Sequence, residues 1–84
     1  MVIDVNAPLD VTLNLPADDL DMTVRTMSYL RAERIHLIGE LVQLTEQEIE
    51  SFSGRKTVQE IKDTLALYGL TLGMKLDNWT SPLD

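Results

Sequence analysis

From residue 23 onward the apolar residues recur at helical spacing, but only in short runs, each opened or closed by a residue that caps or breaks a helix. Thr23 can cap a first run carrying Val24, Met27 and Leu30, with Arg25, Ser28, Tyr29 and Ala32 on another face. The second run, "IHLIGELVQL", is interrupted by Gly39 and predicts a short, irregular helix. "TEQE" at 45–48 has the form of a capping box, in which the Thr45 hydroxyl accepts from the N–H of Glu48 and the Glu48 carboxylate reaches back. The short helix it opens carries Ile49 and is expected to end near Phe52. A last helix with Val58, Ile61, Leu65 and Tyr68 stops at Gly69, and "LTLGMKLDNW" is read as a return segment that closes the core through Leu70, Leu72, Leu76 and Trp79. These runs specify a compact all-α domain of four to five helices.

Composition bounds the rest. The chain has 84 residues, room for one domain, and 44% of them are hydrophobic. With one Trp, two Tyr and one Phe the core must be aliphatic. There is no cysteine, which excludes disulfides and thiolate metal sites, and a single histidine supports no metal cluster. No apolar run approaches the roughly 18 residues that span a bilayer, and the start, "MVIDVNAPLD", lacks the basic and apolar regions of a secretion signal. Residues 1–15 show no helical period, with Pro8 inside them and Pro16 just after. They are expected to form a linker or extended acidic arm ahead of a domain over residues 16–79, with residues 80–84 as a flexible tail.

The net charge of −7 is unevenly spread. Five of the fourteen acids (Asp4, Asp10, Asp18, Asp19 and Asp21) and none of the seven bases lie in residues 1–21, a net of −5; the remaining nine acids and seven bases give −2. Nucleic-acid binding by bulk attraction is thereby excluded, so any such binding must rest on a few placed cations. Two placements stand out. Arg55 and Lys56 follow Gly54 at the start of the last helix, and Arg25 falls in the first turn of the first. Helix N-termini carry partial positive charge and orphaned N–H groups, so cations there are unfavourable unless an external anion, such as a phosphate, is to be held.

Catalysis finds no support. Ser28, Ser51 and Ser53 occupy no strand–turn–helix context that exposes a nucleophile. "FSGRKT" has one glycine and lacks the backbone nest of a phosphate loop. His36 is expected to be partly buried and bonded to backbone. No cofactor is implied.

"DDLDMTVRTMSYLRAERIHLIGELVQLTEQEIESFSGRKTVQEIKDTLALYGLTLGMKLDNW" resembles the C-terminal domain of the bacterial RNA polymerase alpha subunit. The motifs that carry the likeness are "MTVR", "GRKTVQEIK" and the closing "LGMKLDNW", in that order. The resemblance implies a helix-hairpin-helix type of fold that binds A+T-rich upstream promoter DNA across the minor groove. It also implies contacts with sigma factor and transcription activators, attachment to the other polymerase subunits through an N-terminal domain, and a place in the bacterial cytoplasm at the nucleoid. By position it assigns DNA contacts to Arg25, Ser28, Gly54, Lys56, Thr57 and Glu60, with Glu60 as an orienting carboxylate, and Arg55 is added to them as the cation beside Lys56 at the same helix start. It assigns sigma contacts to Asp18, Asp19 and Asp21, and activator contacts to Thr45, Glu46, Gln47, Glu48 and Lys75. Three departures fall on or beside the DNA surface: Ser28 stands where the family carries asparagine, Tyr29 replaces a small residue, and the loop before Gly54 is shorter. Two other readings stay open, a protein-interaction docking module with little DNA affinity and a helix-hairpin-helix repair protein.

Overall fold

The structure, a computed structural model, describes residues 8–77 and 79–82. Five helices follow one another in sequence: α1 (Leu9–Leu13), α2 (Val24–Ala32), α3 (Ile38–Val42), α4 (Glu46–Ser53) and α5 (Arg55–Ala66), with a 3-10 turn at Ala17–Asp19 between the first two. The fold is all-α, as expected, and the hydrophobic core cluster is aliphatic: Ile38, Leu41, Val42, Ile49, Ile61 and Leu65 are fully enclosed. No helix among the described residues is long and apolar enough to cross a membrane.

The extended arm expected through residue 15 is corrected for residues 9–15. Leu9–Leu13 is helical, Leu13 is buried in the core at 2% exposure, and Leu15 packs against it. The segment that follows is held by main-chain bonds to the link between α2 and α3: Ala17 N–H donates to the His36 carbonyl at 2.8 Å and Ile38 N–H to the Leu15 carbonyl at 3.0 Å, around an antiparallel bridge between Pro16 and Leu37. One turn of helix is too short to show a period of 3.6, and its stability comes from burying Leu13. Residues 1–7, the remainder of the expected arm, lie outside the described residues.

Helix ends follow the predicted chemistry. The Thr23 hydroxyl accepts from Thr26 N–H, and at α4 the Thr45 and Glu48 pair bonds reciprocally, at 3.2 Å and 3.1 Å. At the end of α5, Gly69 takes φ +72°, its N–H donates to the Ala66 carbonyl and that of Leu70 to the Leu65 carbonyl, the paired bonds of a Schellman stop. The end of α2 repeats this bond pattern with Arg34 in the left-handed position at φ +59°. Buried Ile35 follows it, so the apolar contact that seals the turn is retained.

Gly39 does not break its helix. It sits inside α3 because the Trp79 ring lies on it: a Cβ at this position would stand 2.5 Å from Trp79 Cζ2. Trp79 Nε1 donates to Asn14 Oδ1 at 2.8 Å, which clasps the return segment to the end of α1. Upstream, Gly73 and Met74 donate to the Leu44 and Val42 carbonyls. The tail therefore closes the core as its apolar spacing predicted.

Candidate nucleic-acid interface

The first turns of α2 and α5 contain no acidic residue. For α2 the missing carboxylate arrives from another helix. Glu60, in the second turn of α5, accepts from Thr23 N–H at 2.7 Å, from the Thr23 hydroxyl at 3.1 Å and from the Thr26 hydroxyl at 3.0 Å. In an ordinary capping box the third helical residue would be a Glu that reaches back to the cap N–H. Here that position is Thr26, and Glu60, 37 residues away from Thr23 in sequence, performs the same role across the tertiary structure. One side chain thereby caps α2 and fixes its N-terminus against α5.

Both helix starts open onto one depression of about 330 Å³ lined by Thr23, Arg25, Thr26, Lys56, Thr57 and Glu60. Arg25 and Lys56 are exposed and form no ion pair among the described residues. Two cations and one carboxylate make the lining +1 in a protein of net −7. The partial positive ends of α2 and α5 add to that field. Gly54 is the single residue between α4 and α5, at φ +88° and ψ 171°, a region open in practice only to glycine. A Cβ there would touch nothing within 4 Å, so the start of α5 faces open space. Such a surface can hold an anion between two cationic side chains and orphaned main-chain amides.

Of the residues expected to share this face, Arg25, Lys56, Thr57 and Glu60 are brought together, with Gly54 at the helix start beside them. Arg55 is not. Its Nε donates to Glu50 Oε1 at 3.3 Å, an exposed pair that turns the side chain toward α4. Ser28 is exposed on α2 and does not line the depression. Sequence reading saw Thr23 only as a cap and passed over Thr26. The signal was there in a threonine at the third helical position, which leaves the cap N–H in need of a carboxylate from elsewhere.

The three acids assigned to sigma contact are not equivalent. Asp18 pairs with Arg31 at 3.2 Å with both residues exposed, Asp19 has a buried Oδ2 with no donor among the described residues, and Asp21 is exposed. At the start of α4, Thr45 and Glu48 serve the cap, Glu46 pairs with Lys62 of α5 at 3.0 Å, and Gln47 is exposed. Lys75 lines a groove with Leu9, Asp10, Leu13, Leu76, Asp77 and Trp79, and the tail just ahead of it is bonded to Leu44, the residue before the α4 cap, through Gly73 N–H. His36 is exposed, and its main chain makes the bonds: its carbonyl accepts from Ala17 and its N–H donates to Glu40 Oε1 at 3.2 Å. That corrects the expectation of a partly buried ring.

The helical order, the glycine joint between α4 and α5, and the paired helix starts all fall inside one family match. It begins at residue 7, ahead of the domain boundary placed at residue 16, and so takes in α1 with the rest. Over residues 7–67 the sequence fits the family described as the C-terminal domain of the bacterial RNA polymerase alpha chain, and the protein belongs to that family.

Proposed function

We propose that this alpha-subunit domain binds A+T-rich upstream promoter DNA through the depression between the starts of α2 and α5, and that its acidic surfaces receive sigma factor and activators. The observation that carries the DNA reading is that Arg25 and Lys56, far apart in sequence, line one depression at two helix N-termini while Glu60 ties those helices together. An arginine with no ion pair among the described residues, beside such a surface, suits the minor groove of A-tracts, whose narrowness deepens the negative potential. Lys56, Thr57 and the first amides of α5 suit phosphate. Asp21 and the exposed start of α4 offer the protein partners negative and polar contacts. The remaining polymerase subunits are reached through the alpha subunit's N-terminal domain.

Fluorescence anisotropy with A+T-rich and G+C-rich duplexes at two salt concentrations tests this. Binding should be weak, prefer the A+T-rich duplex and fall steeply with salt, because each neutralised phosphate releases counterions. Arg25→Ala should weaken it and reduce the salt slope by about one. Equal affinity for both duplexes refutes minor-groove selection. The docking-module reading is favoured by one observation, the withdrawal of Arg55 to Glu50, which leaves few free cations on an acidic protein; absence of DNA binding at low salt would establish that reading instead.

A further inference from the structure

The joint between α4 and α5 brings two misplaced charges together. Glu50 stands in the last turn of α4, which holds no basic residue and whose partial negative charge disfavours a carboxylate. Arg55 opens α5, whose first turn holds no acidic residue and whose partial positive charge disfavours a cation. Gly54 alone separates the two helices, and its N–H donates to the Glu50 carbonyl at 2.9 Å. Across that turn Arg55 Nε donates to Glu50 Oε1 at 3.3 Å, the one side-chain bond of the Glu50 carboxylate among the described residues. Glu50 is not needed to finish its helix, because the Ser51 and Ser53 hydroxyls donate to the Glu48 and Ile49 carbonyls of the last turns. The pair is also loosely held. The Arg55 side chain is 90% exposed and that of Glu50 45%, and exposed pairs contribute little to a fold.

We propose that Glu50 is an internal competitor for DNA phosphate: it holds Arg55 in the free protein, releases it to the DNA backbone on binding, and so tunes affinity from outside the depression. This role presupposes the DNA binding proposed for the helix starts and adds to it a residue that does not line them. Arg55 adjoins Lys56, which lines the depression, and the start of α5 faces open space. A phosphate held by Lys56 and the first amides of α5 is therefore next to the residue that Glu50 restrains. The exchange keeps the guanidinium paired, since its planar fork matches a carboxylate and a phosphate alike. Two consequences lower affinity. The phosphate contact gains only what exceeds the lost pair with Glu50, and the released carboxylate then repels the backbone. Because phosphate contacts carry no sequence information, both act on every duplex equally and leave selectivity to Arg25.

The test is a cycle of anisotropy titrations of the whole protein with A+T-rich and G+C-rich duplexes at low salt: wild type, Glu50→Gln, Arg55→Ala and the two combined. Glu50→Gln should tighten binding about two- to fivefold on both duplexes, the factor equivalent to one exposed ion pair. In the Arg55→Ala background the same change should gain much less, because only the repulsion by Glu50 is left to remove. An equal gain in both backgrounds would show that Glu50 acts on DNA only through its field and overturns the proposal, as does no gain in either. A gain confined to the A+T-rich duplex also overturns it, since Arg55 would then be reading the groove. Nitrogen-15 NMR supplies a readout that a purely structural role would not move: the Arg55 Nε–Hε signal should shift with Glu50→Gln in the free protein and again when duplex is added to the wild type. A signal unmoved by duplex refutes the exchange. The melting temperature should change little with Glu50→Gln, and a large drop would make Glu50 a structural residue instead. If neither wild type nor Glu50→Gln binds either duplex, the DNA reading itself falls; if the wild type binds and weakens with Arg25→Ala but is unchanged by Glu50→Gln, only the role of Glu50 falls.

Discussion

Glu60 carries a negative charge on the face proposed to meet DNA, so two physical effects of removing it have opposite signs. On charge alone, Glu60→Ala should tighten binding, because the lining goes from +1 to +2. On geometry it should weaken binding, because Glu60 holds the cap of α2 against α5 and so sets the spacing of Arg25 and Lys56. The carboxylate accepts three bonds, one from a main-chain N–H. A bond to a charged group contributes about 1.5–3 kcal/mol at most, and partial exposure places these at the lower end. One of the three is recoverable, since Thr23 and Thr26 hydroxyls stand 3.1 Å apart and can bond to each other. Two bonds at about 1.5 kcal/mol each leave a net loss of about 3 kcal/mol, which in a domain of this size lowers the melting temperature by about 12–24 °C. Glu60→Gln keeps an acceptor oxygen but turns an amide donor toward other donors, and should cost about half as much.

Thermal unfolding by circular dichroism gives the first number, and anisotropy with an A+T-rich duplex well below the melting temperature gives the second. Both variants should be less stable and bind several-fold more weakly, with alanine the worse. Tighter DNA binding by a destabilised Glu60→Ala would show that Glu60 acts on DNA only as a charge. An unchanged melting temperature would remove the tertiary capping argument altogether.

Other substitutions probe single features. Gly54→Ala meets no steric obstacle but forces φ +88° on a residue with a Cβ, so it should cost about 1–3 kcal/mol of stability in a urea titration and weaken DNA binding with it. Gly39→Ala should displace the Trp79 ring and break its bond to Asn14. Because this is the protein's one tryptophan, a red-shifted emission with a loss of about 1–3 kcal/mol reports it directly, and unchanged emission contradicts the close approach. Replacing Asp18, Asp19 and Asp21 together by alanine should move the melting temperature by only a few degrees, since the Asp18–Arg31 pair is exposed and such pairs contribute about 0–1 kcal/mol; a large drop would mean the acids support the fold. Ser28→Asn, which extends the reach of α2 by a carbonyl and an amide, should tighten A+T-rich binding about fivefold, the equivalent of one net hydrogen bond, and a neutral result would place Ser28 outside the DNA contact.

What the sequence determined by itself was local. Thr23, the Thr45 and Glu48 pair, Gly54 and Gly69 mark helix ends because capping and left-handed backbone are settled within a few residues, and the spacing of Val58, Ile61 and Leu65 marks one buried face for the same reason. The presence of Arg25 and Lys56 at helix starts was equally visible, as a local electrostatic misfit. Only the tertiary structure decided what those misfits share. Nothing within a few residues of Thr23 predicts that its cap carboxylate is Glu60, or that Glu50 draws Arg55 away while Lys56 stays free of any ion pair among the described residues. Nor does local pattern predict that Leu9–Leu13 is a helix, because a single turn gains its stability from burying Leu13 and not from its own hydrogen bonds. Gly39 shows the same division. As a local signal glycine means a break, whereas here the break is overruled by an indole ring from 40 residues away that requires the missing Cβ. Helix ends are short-range chemistry, while the joining of two cationic helix starts into one surface is long-range packing, and a linear pattern carries the first without the second.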